Sequence, residues 1–241
     1  MGWRLALIQI IILVYAGRRS MAISRVIRRE MLDDLPAHDP MAVRARLDLR
    51  TINALMGNKR WMRRALRHAM DETRKLHATG KQSFVEVGAG DGRLCIKLLK
   101  WFPGSKVTGL DFAPRPGGLP EAISWRQGDL FDELPACTGE VLLGVMILHH
   151  FSDESLSRLG QMLRDYGVVC FCEPWRTRFP HFLGLLVRPF CGKVARHDLP
   201  ASIDAGFVSG ELPRLLGLKG WHLEESVDWR GSLRLLAWKG C

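Results

Sequence analysis

The stretch VEVGAGDGRL, Val85 to Leu94, restricts the fold of this chain more than any other. An apolar run ends in three glycines within five positions and passes at once into GRLCIKLLKWF, so it reads as strand, tight turn and helix. Apolar strands are expected at about 83–87, 106–110, 123–125, 140–146 and 167–172, with helical patterns such as DESLSRLGQMLRDYG between them. Asp153 is the expected N-cap of that helix. Alternation of this kind predicts a parallel sheet with helices on both faces, because a parallel crossover needs a helix to return the chain. WHLEESVDW and SLRLLAW, parted by Arg230-Gly231, predict a closing antiparallel hairpin. The expected class is α/β: a doubly wound, seven-stranded sheet with a C-terminal hairpin and an N-terminal helical cap. With 241 residues, 47% of them apolar, the chain can bury the core of one such domain.

Two ligands compete for the glycine turn. A dinucleotide turn follows G-x-G-x-x-G, whereas here Arg93 occupies the place of the third glycine. Charge argues in the same direction: a pyrophosphate would face Asp91 and Glu86, and one such repulsion at ~4 Å costs about 4 kcal/mol at an effective dielectric of ~20. A ligand with cationic groups would be attracted. S-adenosylmethionine, with a sulfonium and an ammonium against one carboxylate, meets that demand.

Glu86-x-Gly88-x-Gly90-x-Gly92 resembles the E-x-G-x-G-x-G signature of class I, Rossmann-like S-adenosylmethionine-dependent methyltransferases. The likeness runs from about 80 to 173, and more weakly through the terminal hairpin. It implies that Glu86, Gly88, Ala89 and Gly90 form the cofactor turn. It also implies that Asp111, 21 residues beyond Gly90, takes the ribose hydroxyls, with Phe112 packed on the adenine. Asp129 would accept from the adenine amino group, the Leu130 amide would meet a ring nitrogen, and Gly144 would lie near the methionine moiety. LHHF, Leu148–Phe151, together with LRTINALMGNKRW and RHDLPASIDAGFVSGEL, resembles the ubiquinone/menaquinone-biosynthesis-like methyltransferases. That second likeness implies a small apolar acceptor: a phenolic, quinol or polyketide-derived compound. A binding protein that keeps the fold without the chemistry is the alternative.

Charge is unevenly placed. Of the net +10, residues 1–80 hold 16 Lys/Arg and 7 Asp/Glu, while residues 81–241 hold 19 and 18. Solvated helix faces account for the surplus, and docking to an anionic membrane surface, an acidic substrate or nucleic acid is the competing reading. The run Leu5–Ala16 is too short to span a bilayer. It reads as an interfacial anchor before Arg18 and Arg19, or as an over-long start ahead of Met21, with MAISRVIRREMLDD opening a charged helix. Residues 21–80 are then a basic helical cap closed by Gly80, and 81–241 form the catalytic domain. Six scattered cysteines, without C-x-x-C pairs, read as buried free thiols in a reducing, cytoplasmic setting, with no metal site.

Neither the N/D-P-P-Y/F motif of base N-methylation nor a Pro-Cys nucleophile is present, so no nucleic-acid substrate is expected. Transfer to a phenolic oxygen gains from a base, because a hydroxyl near pKa ~10 is only about 0.1% ionised at pH 7. His150, at the end of the fourth strand, is the first candidate, with His149 and Glu173 beside it. A lid over about 175–210 would bring Trp175, His197 and Asp198 to the acceptor.

Overall fold

A computed structural model describes residues 23–36, 38–73 and 82–240. Its sheet consists of β1 (Ser83–Val87), β2 (Lys106–Asp111), β3 (Ile123–Gln127), β4 (Val141–Val145), β5 (Val168–Pro174), β6 (Trp221–Asp228) and β7 (Ser232–Lys239). The strand order is β3-β2-β1-β4-β5-β7-β6. The first five strands pair in parallel, and β7 enters antiparallel between β5 and β6. Each expected strand is present. All seven residues of β5 are buried, as befits a central strand covered on both faces.

The pleat divides the core in two. Val85, Leu142 and Phe171 point to one face, with Leu156, Leu159 and Phe207 packed over them. Phe84, Leu143, Cys170 and Cys172 point to the other, under Leu66 and Leu98. The period of two thus puts both thiols of the C-x-C pair into one apolar layer, and burial pushes both up. All five described cysteines are free.

The helices are α1 (Pro40–Met56), α2 (Asn58–Glu72), α3 (Arg93–Trp101), α4 (Leu130–Glu133), α5 (Asp153–Met162), α6 (Arg178–Val187), α7 (Lys193–Ala205) and α8 (Glu211–Leu215). Asp39 caps α1 by accepting from Met41 N (2.7 Å), and Gly57 in the left-handed region (φ 69°) breaks α1 from α2, as the Gly57-Asn58 signal predicts. Helices α6 and α7 fold the 175–210 excursion back over the carboxyl edge of the sheet, with Trp175 bridging to Phe207 at its base. Among the described residues no helix is long and apolar enough to cross a membrane.

Two expectations need correction. Residues 23–30 are not helical; they run along α7 and end in a 3-10 turn, Met31–Asp34. Val26 and Ile27 are adjacent rather than three or four apart, and the backbone finds its partner elsewhere, with Val26 N donating to Asp204 O (3.1 Å). The cap of α5 is Ser152, whose hydroxyl accepts from Ser155 N (3.2 Å), so Asp153 is the first helical residue. The leader, the Met21 start and Gly80 lie outside the described residues.

Candidate active site

The register aligns the carboxyl ends of four strands: Val87 lies beside Leu110 and Gly144, and Asp111 beside Gln127. Gly88–Gly92, Asp111, Asp129 and Gly144 therefore share one edge. There the strand order reverses about β1, which is where open α/β sheets bind ligands. At Gly90 (φ 55°) an added Cβ would meet nothing nearer than 4.0 Å, so the outer side of the turn is open. Its N–H donates to Asp111 Oδ2 (2.7 Å), while Ala113 N donates to Oδ1 (2.8 Å). Both oxygens are fixed by backbone and keep lone pairs for further donors.

Ala89 is buried and its N–H donates to Leu110 O (3.1 Å), which fastens the turn to β2. Phe112, next to the Asp111 carboxylate, is 69% exposed. Asp129 caps α4 through Oδ1, which accepts from Phe131 N (2.7 Å), and Leu130 is buried behind it. At Gly144 a Cβ would press on Ile147 (2.8 Å) and Val87 (3.1 Å), so glycine is required there by packing. The crevice thus offers an open backbone turn, a fixed carboxylate and an exposed aromatic ring. That set fits a nucleoside carrying an amino-acid tail.

The charge argument drawn from the sequence does not survive. Asp91 is paired with Arg50 (3.2 Å) and Arg93 (3.1 Å). Glu86 is enclosed against Cys95, whose Sγ donates to Oε2 (2.9 Å), and burial pushes its carboxyl up to about 8. Neither acid presents an uncompensated negative charge near pH 7. What separates this fold from a dinucleotide-binding one is the antiparallel β7 within the sheet, along with Arg93 in the place of the third glycine.

A second group of residues forms where β4 and β5 end. Glu173, fully buried on β5, accepts from Ile147 N (3.1 Å), Leu148 N (3.0 Å), His149 N (3.3 Å) and His149 Nδ1 (2.8 Å). It caps the 3-10 turn Leu148–His150 and holds one ring. The other nitrogen of His149 lies 3.7 Å from Glu30 Oε1. Burial alone would lower His149, but the hydrogen bond to Glu173 and the nearby Glu30 carboxylate raise it to about 9, so it carries a proton at neutral pH. Burial would raise Glu30, yet His149, His150 and the Ser202 hydroxyl hold it below its ordinary value. His150 behaves oppositely: burial and the His149 charge push it down, and its Nδ1 lies 3.9 Å from Asp33 Oδ2.

Glu30, His149 and His150 bring one donor atom each within 4.8 Å of one another, a spacing that a metal could use. The proton on His149 offsets one of the two buried carboxylate charges, those of Glu30 and Glu173.

Glu30, Asp33, His149 and His150 line a cavity of about 260 Å³ walled by α1, α6 and α7, with Ile52, Met56, Leu183, Val187 and Leu199 among its apolar lining and Asn53, Ser202 and Arg230 among its polar lining. Met146, the one described non-glycine residue with positive φ (56°), lines it beside the histidines. Glu30 and Asp33 were not legible as site residues, because no local spacing joins them to the LHHF turn.

The three acceptor candidates from the lid are placed otherwise. Asp198 is buried and accepts from Met31 N (2.8 Å) and Leu32 N (3.0 Å), so it anchors the N-terminal turn. His197 pairs with it (2.9 Å) while its side chain stays 57% exposed. Trp175 is half-buried and packs against the core. None of the three is among the cavity's lining residues.

No protein-family model matches the chain. Cephaeline 6'-O-methyltransferase of Carapichea ipecacuanha is 34% identical over 89 residues, covering 33% of this chain and 23% of that protein. The 8-hydroxyquercetin 8-O-methyltransferase of Mentha piperita is 34% identical over 88 residues, covering 36% and 24%. The chain thus spans less than a quarter of the curated relatives it matches. Among solved structures, the plantazolicin methyltransferase BamL, bound to a triazolic desmethylPZN analog and SAH, superposes with a TM-score of 0.66 at 10% identity, over 87% of this chain and 93% of that one. Human N-acetylserotonin methyltransferase in complex with SAM gives 0.53 at 18% identity, over 88% and 63%. The seven-stranded order and these superpositions agree: the chain has the fold of the class I S-adenosylmethionine-dependent methyltransferases.

Proposed function

We propose that this protein is an S-adenosylmethionine-dependent O-methyltransferase of a small, largely apolar acceptor with a phenolic-type hydroxyl, such as a phenol, a quinol or a polyketide-derived compound. The observation that carries the reading is His150, held below its ordinary value by burial, in the lining of a largely apolar cavity beside the carboxyl ends of β4 and β5. The names of the two plant relatives point to the same chemistry.

Gly88, Ala89 and Gly90 would hold the cofactor's amino-acid end, Asp111 its ribose hydroxyls, and Phe112, Asp129 and Leu130 its base. When bound, it supplies an electrophilic methyl on a sulfonium. The cavity wall aligns the acceptor for in-line displacement, which needs reacting atoms ~3–3.5 Å apart. His150 Nδ1 lies on the Asp33 side, which would leave Nε2 to take the acceptor's hydroxyl proton. His149, already protonated, and Glu173, saturated by four hydrogen bonds, hold the turn that presents His150.

The test is incubation of the protein with methyl-labelled cofactor and a panel of phenols and quinols, with labelled methyl ether as the expected product. S-adenosylmethionine at a hundredfold excess over its dissociation constant should add about 2.7 kcal/mol of stability. Asp111→Ala should abolish that gain. A melt shifted by NADH and unmoved by S-adenosylmethionine would overturn the proposal.

A further inference from the structure

Helix α6 is apolar on both sides. Pro180, Leu183, Gly184 and Val187, at helical spacing, line the cavity. The opposite side and the turn after it carry Phe182, Leu185, Leu186 and Phe190, which are 55%, 59%, 57% and 79% exposed. A run of exposed apolar side chains this size marks a surface that another body covers, and this one has nothing over it among the described residues.

Charge indicates what would cover it. From Arg176 to His197 the sequence holds five Lys/Arg and no Asp or Glu. Arg176 is buried on Glu211 (2.5 Å), but Arg178, Arg188, Lys193 and Arg196 are exposed. The acids that approach from neighbouring elements are already engaged. Asp48 binds Arg44 (3.0 Å) and Gly192 N (2.7 Å), and Asp204 binds Arg28 (3.1 Å) and His181 (3.0 Å). Arg44, which also donates to Phe190 O (3.2 Å), extends the basic rim onto α1. A symmetric contact between two copies would oppose these cations to one another. An anionic lipid surface would pair with them and take up the aromatic and leucine side chains.

We infer that the outer face of α6 and the Arg188–Phe190 turn dock on an anionic lipid bilayer, with Phe182, Leu185, Leu186 and Phe190 in the interface and the flanking cations on the headgroups. Because the same helix walls the cavity, docking sets a lipid-soluble acceptor one helix away from His150. That consequence rests on the proposed function; the docking itself does not, since it is measured without turnover. The sequence ahead of the described residues, apolar over 5–16 with Arg18 and Arg19 behind, offers a second contact of the same chemistry.

Cosedimentation of the full chain tests this, with vesicles of equal parts phosphatidylglycerol and phosphatidylcholine, and with phosphatidylcholine alone. The full chain should bind the anionic vesicles and lose most binding in high salt. Leu185→Glu with Leu186→Glu should lower partitioning by about 100-fold or more, the loss of two interfacial apolar side chains. Arg188→Gln with Lys193→Gln should lower it about fivefold per charge, on anionic vesicles alone. Ile11→Asp with Ile12→Asp, which breaks the leader's apolar run, should leave the α6 contribution in place. An unchanged melting temperature excludes misfolding, and Phe190→Ser, outside the helix, replaces the double variant if that one unfolds. Three results would each overturn the inference: no binding by the full chain, loss of binding in the leader variant alone, or normal binding by the α6 variants, whether or not a dimer becomes a monomer.

Discussion

His149 and His150 are chain neighbours with ring centroids 4.3 Å apart, yet their surroundings shift them in opposite directions. Two carboxylates hold a proton on the first, and that charge together with burial disfavours one on the second. One consequence is kinetic. His150→Ala should cut turnover by roughly 10²–10⁴-fold, the usual contribution of a positioned base. Cofactor affinity should stay nearly intact, and turnover should partly recover at high pH as the acceptor ionises unaided. A second is electrostatic. The acidic limb of kcat/KM should fall below pH 6.5, the ordinary value for histidine, because His150 is shifted down. The Asp33 carboxylate works against that shift, so Asp33→Asn should move the limb lower still. Normal turnover in His150→Ala would remove the base from the proposed mechanism.

At the scale of elements, the segment 23–36 completes the site although it has almost no regular structure. Arg25 is its fastening. It donates to Ala205 O (2.9 Å) and Phe151 O (2.8 Å), pairs with Asp153 (2.7 Å), and stacks over Phe207 at 4.6 Å. The segment thereby delivers Glu30 to His149 and Asp33 to His150. Arg25→Ala should cost about 1.5–3 kcal/mol in denaturant unfolding, the range for hydrogen bonds to a charged group. Its kinetic mark should be a raised KM for the acceptor, with the cofactor-induced stabilisation preserved. None of this was legible locally. Read alone, SRVIRREMLDD is a charged stretch with weak helical pattern, and its partners lie 124 to 180 residues further on. The strands, by contrast, were legible because their apolar runs and glycine ends are local signals.

For the whole molecule, two buried groups tie stability to pH in the same direction. Glu86 is raised from 4.5 to about 8 and His149 from 6.5 to about 9. Each holds its proton more tightly in the folded state, so each stabilises the fold in acid and ceases to do so in alkali. The contribution of Glu86 is complete below about 4.5 and lost through about 8; that of His149 is complete below about 6.5 and lost through about 9. Denaturant stability should therefore fall between pH 6 and 9 by an amount of the order of a few kcal/mol. Glu86→Gln should flatten the part of that slope below pH 8, and a flat wild-type profile would refute both assignments. The sequence alone determined the sheet, the hairpin, the glycine turn and the strand-end position of Asp111, because periodicity and turn chemistry act over a few residues. Only the tertiary structure decided which charges count. Arg50 reaches Asp91 across 41 residues, burial on β1 keeps Glu86 protonated, and Glu30 and Asp33 meet the histidines from the far end of the chain. Desolvation and Coulomb interaction depend on distance in space, which the order of residues does not carry.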